Sequence, residues 1–466
     1  MLLSLTLLAP LIAIAPVLVA KTWRFSSIVA AAALILSSLL LLLAIIQRPV
    51  EEYPIERALD LIVLEGSGFN LLFATFTSVI CAAQAAVSPY FMRRRARSVD
   101  PRFYYALYLI SSAALLATPL SGSLTTFFLL FEAYLLSSWL LLLLTGGHRA
   151  GEAASKYLLF TETGALVTLL GLALVYDEFG TFRFDRLSSA TVTPQEAANL
   201  LALLLAAPLV KLAVFPLHIW LPDVYSVAPQ PLTGVMMAAE GVAGWAVARL
   251  LVIWPHVFST LDAVFPLVML GILTAVYGSL IALAQIDYRK LLAYASIGGG
   301  GLFLVSTACG KAGLAGVVLL SIEHALAKNS LLLAFGYFEE ELEVRSITQL
   351  GGLASSASKS AVGVLIAVLS LAGLPPTLGF WAEVAILAGV ASSMGTGIEG
   401  IALMLAVALA LVLCSAYSLW LFKRVFFGSP RIVLKEEWCS TTLALLLFST
   451  LLIALGTYPA GILKLL

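Results

Sequence analysis

Glu132, Glu162, Lys211, Glu240, Glu323, Lys328 and Glu383 each interrupt or closely edge a stretch that is otherwise long and apolar enough to span a membrane. An ionisable group at bilayer depth costs at least about 2.5 kcal/mol and stays only where it has a partner, water or a function. Acids and bases both occur, and two histidines, His218 and His324, stand among them. Titratable groups joined by water let protons cross a low-dielectric interior by hopping. A carboxylate beside an ammonium favours the charged form of both, and separating them relaxes both, so charge at one site can drive proton release at the next. Spacing adds detail. Lys211 and His218 are seven apart, close to two helical turns, and His324 and Lys328 are four apart on one helical face. These residue types at bilayer depth suggest a route for protons.

The elements that must position them are membrane helices. The 466 residues are 61% hydrophobic and 11% charged, with a formal net charge of +0, where a soluble chain would carry about a quarter charged residues. Neutrality removes the electrostatic case for nucleic acid. Cys81, Cys309, Cys414 and Cys439 are scattered, without metal-ligand spacing, and read as packed thiols, so no metal or cofactor is expected on this chain. The run Gly298–Gly301 follows an apolar helix start with no strand before it, and so is no phosphate cradle. A span needs about 20 apolar residues. Fourteen are expected: 2–20, 27–47, 67–90, 104–122, 124–145, 157–176, 197–221, 231–253, 264–285, 288–309, 312–337, 359–391 (long and broken), 401–422 and 441–463. Met1–Ala20 lacks a positive start and reads as the first of these spans, not as a signal peptide. The expectation is an all-α integral membrane protein forming one polytopic domain over residues 1–466.

Alternate connections differ in charge. One set carries 17 of the 26 basic residues and the other 7, leaving only Lys211 and Lys328 inside spans. Basic loops face the cytoplasm, which puts both termini on the outer side of the cell membrane. The cluster Met92–Arg97 reads as a stop-transfer anchor, His256 as an interfacial anchor and His148 as a solvated loop residue.

Between 208 and 231 the motif signal is densest. Pro216 follows Lys211 by five residues and must break the helix. Broken backbone at membrane depth is tolerated only against protein or water. Lys211, Pro216, His218, Trp220-Leu221-Pro222-Asp223, Ala228 and Pro229 closely resemble the seventh-helix motif of the antiporter-like subunits shared by respiratory complex I, membrane-bound hydrogenases and Mrp-type cation/proton antiporters. Only Val224, after Asp223, departs from that motif. Phe131-Glu132 on the fifth span, Asp287–Ser296 opening the tenth, His324–Lys328 on the eleventh and Leu374–Phe380 with Glu383 on the twelfth are similar too. The resemblance covers roughly residues 100 to 425.

It implies an inverted repeat of helices four to eight (about 100–255) against nine to thirteen (about 264–425), with broken helices seven and twelve. Proline breaks at the fourth member of each five-helix set hint at the same repeat. It further implies a proton-translocating subunit working beside antiporter-like paralogues and a redox module carried on partner subunits. Glu132 paired with Lys211 would be the entry switch, His218, His324 and Lys328 central relays, and Glu383 the exit group. The chain resembles the shorter family members, which lack a lateral helix, and Glu383 in place of lysine inclines it to the fourth-subunit type of complex I or to a hydrogenase relative. Departures stand out as well: Glu240 occupies the region where the eighth helix carries lysine, and Gly298–Gly301 replace a polar position on the tenth. Glu240 should then lie within reach of at least one of Lys211, His218, His324 and Lys328. Glu162 reads as a headgroup-level residue, and Glu323 has no place in the pattern. A stand-alone cation/proton antiporter and a scaffold that has lost transport are the alternatives.

Overall fold

The computed structural model describes residues 2–47, 49–53, 62–94, 98–147, 150–254, 261–395 and 397–465. His148, His256, Arg95 and Arg97 lie outside them. The chain is an all-α membrane protein, with twelve helices among the described residues long and apolar enough to cross a bilayer. In chain order the elements are α1 (Leu2–Ile12), α2 (Ile14–Val19), α3 (Trp23–Gln47), β1 (Val50–Tyr53), β2 (Ile62–Glu65), α4 (Gly68–Met92), α5 (Pro101–Ala117), α6 (Leu124–Thr145), α7 (Ala150–Phe179), α8 (Phe184–Ser189), α9 (Pro194–Leu204), α10 (Ala206–Lys211) and α11 (Trp220–Val227). There follow α12 (Gln230–Leu251), α13 (Leu261–Leu283), α14 (Tyr288–Ala308), α15 (Gly310–Leu342), α16 (Ser358–Leu371), α17 (Leu378–Met394), α18 (Ile398–Phe426), α19 (Ser440–Thr457) and α20 (Ala460–Leu463).

Helix starts are set by side chains that satisfy the free N–H groups of the first turn. Ser67 accepts from Asn70 N, Asp100 from Arg102 N ahead of Pro101, and Asp287 from Arg289 N. Thr193 and Glu196 form a reciprocal capping box on α9. The strands β1 and β2 pair antiparallel, Val50 with Glu65 and Tyr53 with Ile62. This hairpin is absent from the all-helical expectation. Its seating is side-chain work: Val63 N donates to Thr126 Oγ1 at 2.9 Å.

Helices α12, α14 and α15 are almost wholly buried, whereas α3, α7 and α18 turn leucine-rich faces outward, as lipid contact requires. Glycines bring α13 and α14 together at backbone distance. A Cβ at Gly301 would lie 2.4 Å from Ala275 N, and one at Gly278 would lie 2.3 Å from Gly298 N. Small residues allowing such approach are the usual glue of membrane helices.

Two segments are broken, and alike. After α10 the chain leaves helical geometry until α11, and after α16 until α17. Ala213 and Gly373, each three residues before a proline of the break, have positive φ of 53° and 62°. Ala213 N bonds Val210 O at 3.0 Å and Val214 N bonds Leu209 O at 3.2 Å. The same bonds recur as Gly373 N to Ser370 O and Leu374 N to Leu369 O, both at 2.9 Å. Residues 197–221, expected as one span, are thus divided among α9, α10 and the start of α11.

The two sets of connections gather at opposite ends. At the basic end Arg93 meets Glu341 at 2.9 Å, Arg94 meets Glu340 at 3.1 Å, Lys156 meets Asp223 at 2.7 Å and Arg289 meets Glu339 at 2.9 Å. At the other end Arg249 meets Glu65 at 2.7 Å. The described arginines of the Met92–Arg97 cluster therefore clamp the end of α15.

Candidate functional site

Lys328 on α15 and Glu240 on α12 form an ion pair at 2.8 Å, with side chains 0% and 4% exposed. Tyr225 on α11 donates to the other oxygen of Glu240 at 3.1 Å, and Ser296 Oγ on α14 lies 3.4 Å from Lys328 Nζ. Four buried helices thus converge on one acid and one base. The close approach expected of Glu240 is met directly, without a water between. Gly299 makes the room, since a Cβ there would lie 2.4 Å from the His324 ring and 2.8 Å from Lys328 Nζ. The glycine run that lacks a polar side chain is what lets α14 close over His324 and Lys328. One residue on, a Cβ at Gly300 would lie 2.1 Å from Leu212 O, pressing α14 against the first break.

Lys211, the last residue of α10, is buried, and its ammonium has no hydrogen-bond partner among the described residues. It sits instead among Tyr134, Tyr157 and Trp220, with ring centroids at 4.9, 5.3 and 5.2 Å. Aromatic faces stabilise a desolvated cation electrostatically. The expected Glu132–Lys211 ion pair is not made. Glu132 and Tyr134 are two residues apart on α6, about 200° around the helix, so Tyr134 faces Lys211 and Glu132 does not. Glu132 Oε1, like Glu162 Oε1 on α7, has no hydrogen-bond partner among the described residues. The acid whose field reaches Lys211 is Glu240. Tyr157 connects the two groups: both Glu132 and Glu162 act on it, its ring faces Lys211, and its hydroxyl bonds Ser138 at 2.9 Å.

Beyond Lys328, His324 Nε2 lies 3.5 Å from Glu323 Oε2, and its ring meets Phe303 edge-on. Glu323 is buried, and its Oε1 has no hydrogen-bond partner among the described residues. Glu383 on α17 folds back over the second break, where a Cβ at Gly373 would lie 2.1 Å from its carboxylate. Cys414 on α18 lies 3.3 Å from the Ser279 hydroxyl on α13. His218 stands apart, turned to α13, where its Nε2 is 3.1 Å from the Tyr277 hydroxyl and its ring stacks on Phe215. The break that follows Lys211 rotates His218 off the face the two would have shared.

The candidate line of Glu132, Lys211, Glu240, Lys328, His324 and Glu383 thus holds one direct ion pair, Glu240 with Lys328, and His218 is turned away to α13. Sequence reasoning missed Tyr134, Tyr157, Tyr225 and Ser296, although hydroxyl-bearing side chains deep in apolar spans were the available signal. Among the described residues no cluster of His, Cys, Asp and Glu could hold a metal ion.

Comparison with known proteins places this arrangement. The solved structure of respiratory complex I from Thermus thermophilus contains a chain that superposes with a TM-score of 0.87 at 24% identity, covering 100% of this chain and 97% of that one. A chain of the Mrp complex from a Dietzia species gives 0.88 at 23%, covering 100% and 95%. A NADH-quinone oxidoreductase subunit N from Desulforudis audaxviator is 31% identical over 345 residues, 72% of this chain and 67% of that protein. A subunit M from Rickettsia conorii is 29% identical over 369 residues, 78% and 72% of the two chains. The family model described as NADH:quinone oxidoreductase/Mrp antiporter, TM matches residues 121–416, which hold every residue of the line from Glu132 to Glu383, and the chain belongs to that family.

Proposed function

We propose that this chain is a proton-translocating, antiporter-like subunit of a multi-subunit, redox-driven membrane complex of the complex I or membrane-bound hydrogenase kind. The observation that carries the reading is the buried Glu240–Lys328 pair, on helices that pack beside the two broken segments. Relatives named as NADH-quinone oxidoreductase subunits, over about two thirds of their length, support the redox coupling. Counting each broken segment as one crossing gives fourteen spans. The matched hydrogen bonding of the breaks supports an inverted repeat of about 100–255 against about 264–425. The basic end faces the cytoplasm and both termini face outward across the inner membrane.

Glu240 lies between two lysines. It is paired with Lys328, and Lys211 waits among rings without an anion of its own. Two unit charges 4 Å apart are worth about 4 kcal/mol at an effective dielectric of about 20. A proton delivered past Glu132, Glu162 and Tyr157 charges Lys211 and draws Glu240 toward it. Lys328, losing its counter-ion, passes its proton to His324 and Glu323, and Glu383 releases it. Antiporter-like paralogues and the redox centre sit on partner subunits.

The test is proton pumping by the purified complex in sealed vesicles. Lys211→Met removes the charge with a side chain that still fills the space, and should abolish most pumping while the complex still assembles. Glu132→Gln should resemble it. Wild-type rates in both variants would sink the assignment. Redox subunits recovered with the chain would separate this function from that of a stand-alone cation/proton antiporter.

A further inference from the structure

Where α4, α12 and α15 meet, a second set of buried polar groups lies outside the line just described. Gln84 Nε2 donates to Asn329 Oδ1 at 2.7 Å, and Asn329 Nδ2 donates to Gly234 O at 3.3 Å. Gln84 Oε1 has no partner among the described residues, and neither polar atom of Gln230 has one, although Gln230 is 1% exposed. Buried amide atoms left without protein partners are costly, and in folded proteins internal water fills that role. Three such atoms in one helix junction mark a wet place in an otherwise apolar packing.

The helices stack these groups in order. Gly234 faces Gln84 and Asn329 closely: a Cβ there would lie 2.4 Å from the Gln84 amide nitrogen and 2.5 Å from Asn329 Oδ1. Gln230 lies one turn earlier on the same face of α12, at the basic end. Gly336, two turns after Asn329 on α15, stands against it, and a Cβ there would lie 3.1 Å from Gln230 Cγ. One more turn along α15 is Glu339, held by Arg289 at 2.9 Å, whose guanidinium also donates to Ala228 O just before α12. In the other direction Asn329 adjoins Lys328. From the basic face inward the order is Glu339, Gln230, Gln84 with Asn329, then Lys328 with Glu240.

We infer that Gln230, Gln84 and Asn329 line a hydrated branch that carries protons between the basic face at Glu339 and the central Lys328, separate from the entry past Glu132. The inference rests on the proton-relay reading above, because Lys328 is the branch's destination. Amides do not titrate here. They orient water, and water carries the proton. The two glycines, Gly234 and Gly336, keep side chains out of the passage.

The discriminating experiment compares substitutions by size in the intact complex, assayed for proton translocation per unit of redox turnover in sealed vesicles. Gln230→Leu fills the passage with carbon and should lower translocation about tenfold. Gln230→Ala leaves room for water and should retain more than about half. Lys328→Met serves as the reference and should stop pumping. If Lys328→Met stops pumping while both Gln230→Leu and Asn329→Leu run at wild-type rate, the branch is wrong and the relay stands. Normal pumping by Lys328→Met would overturn both. If Gln230→Ala is as impaired as Gln230→Leu, the glutamine acts by its own contacts and the hydrated branch is refuted. Should the leucine variants fail to assemble, a high-resolution map of the wild-type complex decides: water density bridging Gln230 and Gln84 is expected, and its absence overturns the proposal.

Discussion

Removing Glu240 should destabilise this protein more than removing both members of its pair. In the wild type the Lys328 ammonium is fully buried, 2.8 Å from Glu240, and its other polar neighbour is Ser296 Oγ at 3.4 Å. Glu240→Ala leaves that cation with one weak hydroxyl contact. Breaking a buried ion pair from one side costs about 3–5 kcal/mol, because the remaining charge is uncompensated. Tyr225 loses its acceptor as well, and a buried donor without a partner costs about 1–3 kcal/mol. Glu240→Gln keeps the volume and offers its amide oxygen to Lys328 or to Tyr225. It replaces an ion pair by an ion–dipole hydrogen bond and leaves the ammonium without a counter-ion, so its cost falls below that of Glu240→Ala, at about 2–3 kcal/mol. The double variant Glu240→Ala with Lys328→Met removes the orphaned charge, and its stability should return to within about 2 kcal/mol of wild type. Equilibrium unfolding of the detergent-solubilised chain in a denaturing detergent, followed by tryptophan fluorescence, measures all four corners of the cycle. The expected coupling energy exceeds about 2 kcal/mol. A double variant no more stable than Glu240→Ala alone would refute the pairing as the source of the effect.

Two further substitutions probe the packing around this pair. Gly300→Ala puts a methyl group where Leu212 O now lies and should cost about 1–3 kcal/mol, with transport lost as the first break shifts, whereas Gly151→Ala, on the exposed start of α7 with open space around it, should be neutral or slightly stabilising in the same unfolding assay. Tyr157→Phe keeps the ring over Lys211 but deletes the hydroxyl bonded to Ser138, so it should slow pumping while changing stability by about 1 kcal/mol, and an unchanged pumping rate would remove Tyr157 from the route.

Much of the architecture is legible in the sequence because lipid imposes a simple constraint. An apolar run of about twenty residues has few structures open to it, since every backbone polar group must be satisfied internally. The two breaks are visible for the same reason, as Pro216 and Pro375-Pro376 cannot continue a helix. The β1–β2 hairpin is not visible, because Val50–Tyr53 and Ile62–Glu65 are four residues each and gain their stability from tertiary seating such as the bond to Thr126. Which charges meet is harder still. Sequence places Glu132 and Lys211 on facing spans, yet the rotation of α6 that points Tyr134 at Lys211 depends on packing across helices. The Gly298–Gly301 run reads from sequence as a missing polar residue, and in three dimensions Gly299 is the space into which His324 and Lys328 fit, while its neighbours let α13 and the first break approach.

The two breaks share one backbone design and carry opposite chemistry. Lys211 lies five residues before Pro216, and the residue in the same place before Pro376 is Leu371. Seven residues after each proline stands an acid, Asp223 in the first half and Glu383 in the second. Asp223 is bound by Lys156 at 2.7 Å with nearly half its side chain exposed, so water screens that pair and its contribution is small. Glu383 makes no ion pair among the described residues and lies instead over Gly373. The first half therefore buries a base at its break, and the second sets a half-buried acid over its own. Backbone symmetry alone would make the two ends of the line equivalent. Lys211 against Leu371, and an ion-paired Asp223 against a half-buried Glu383, make the two breaks chemically unequal.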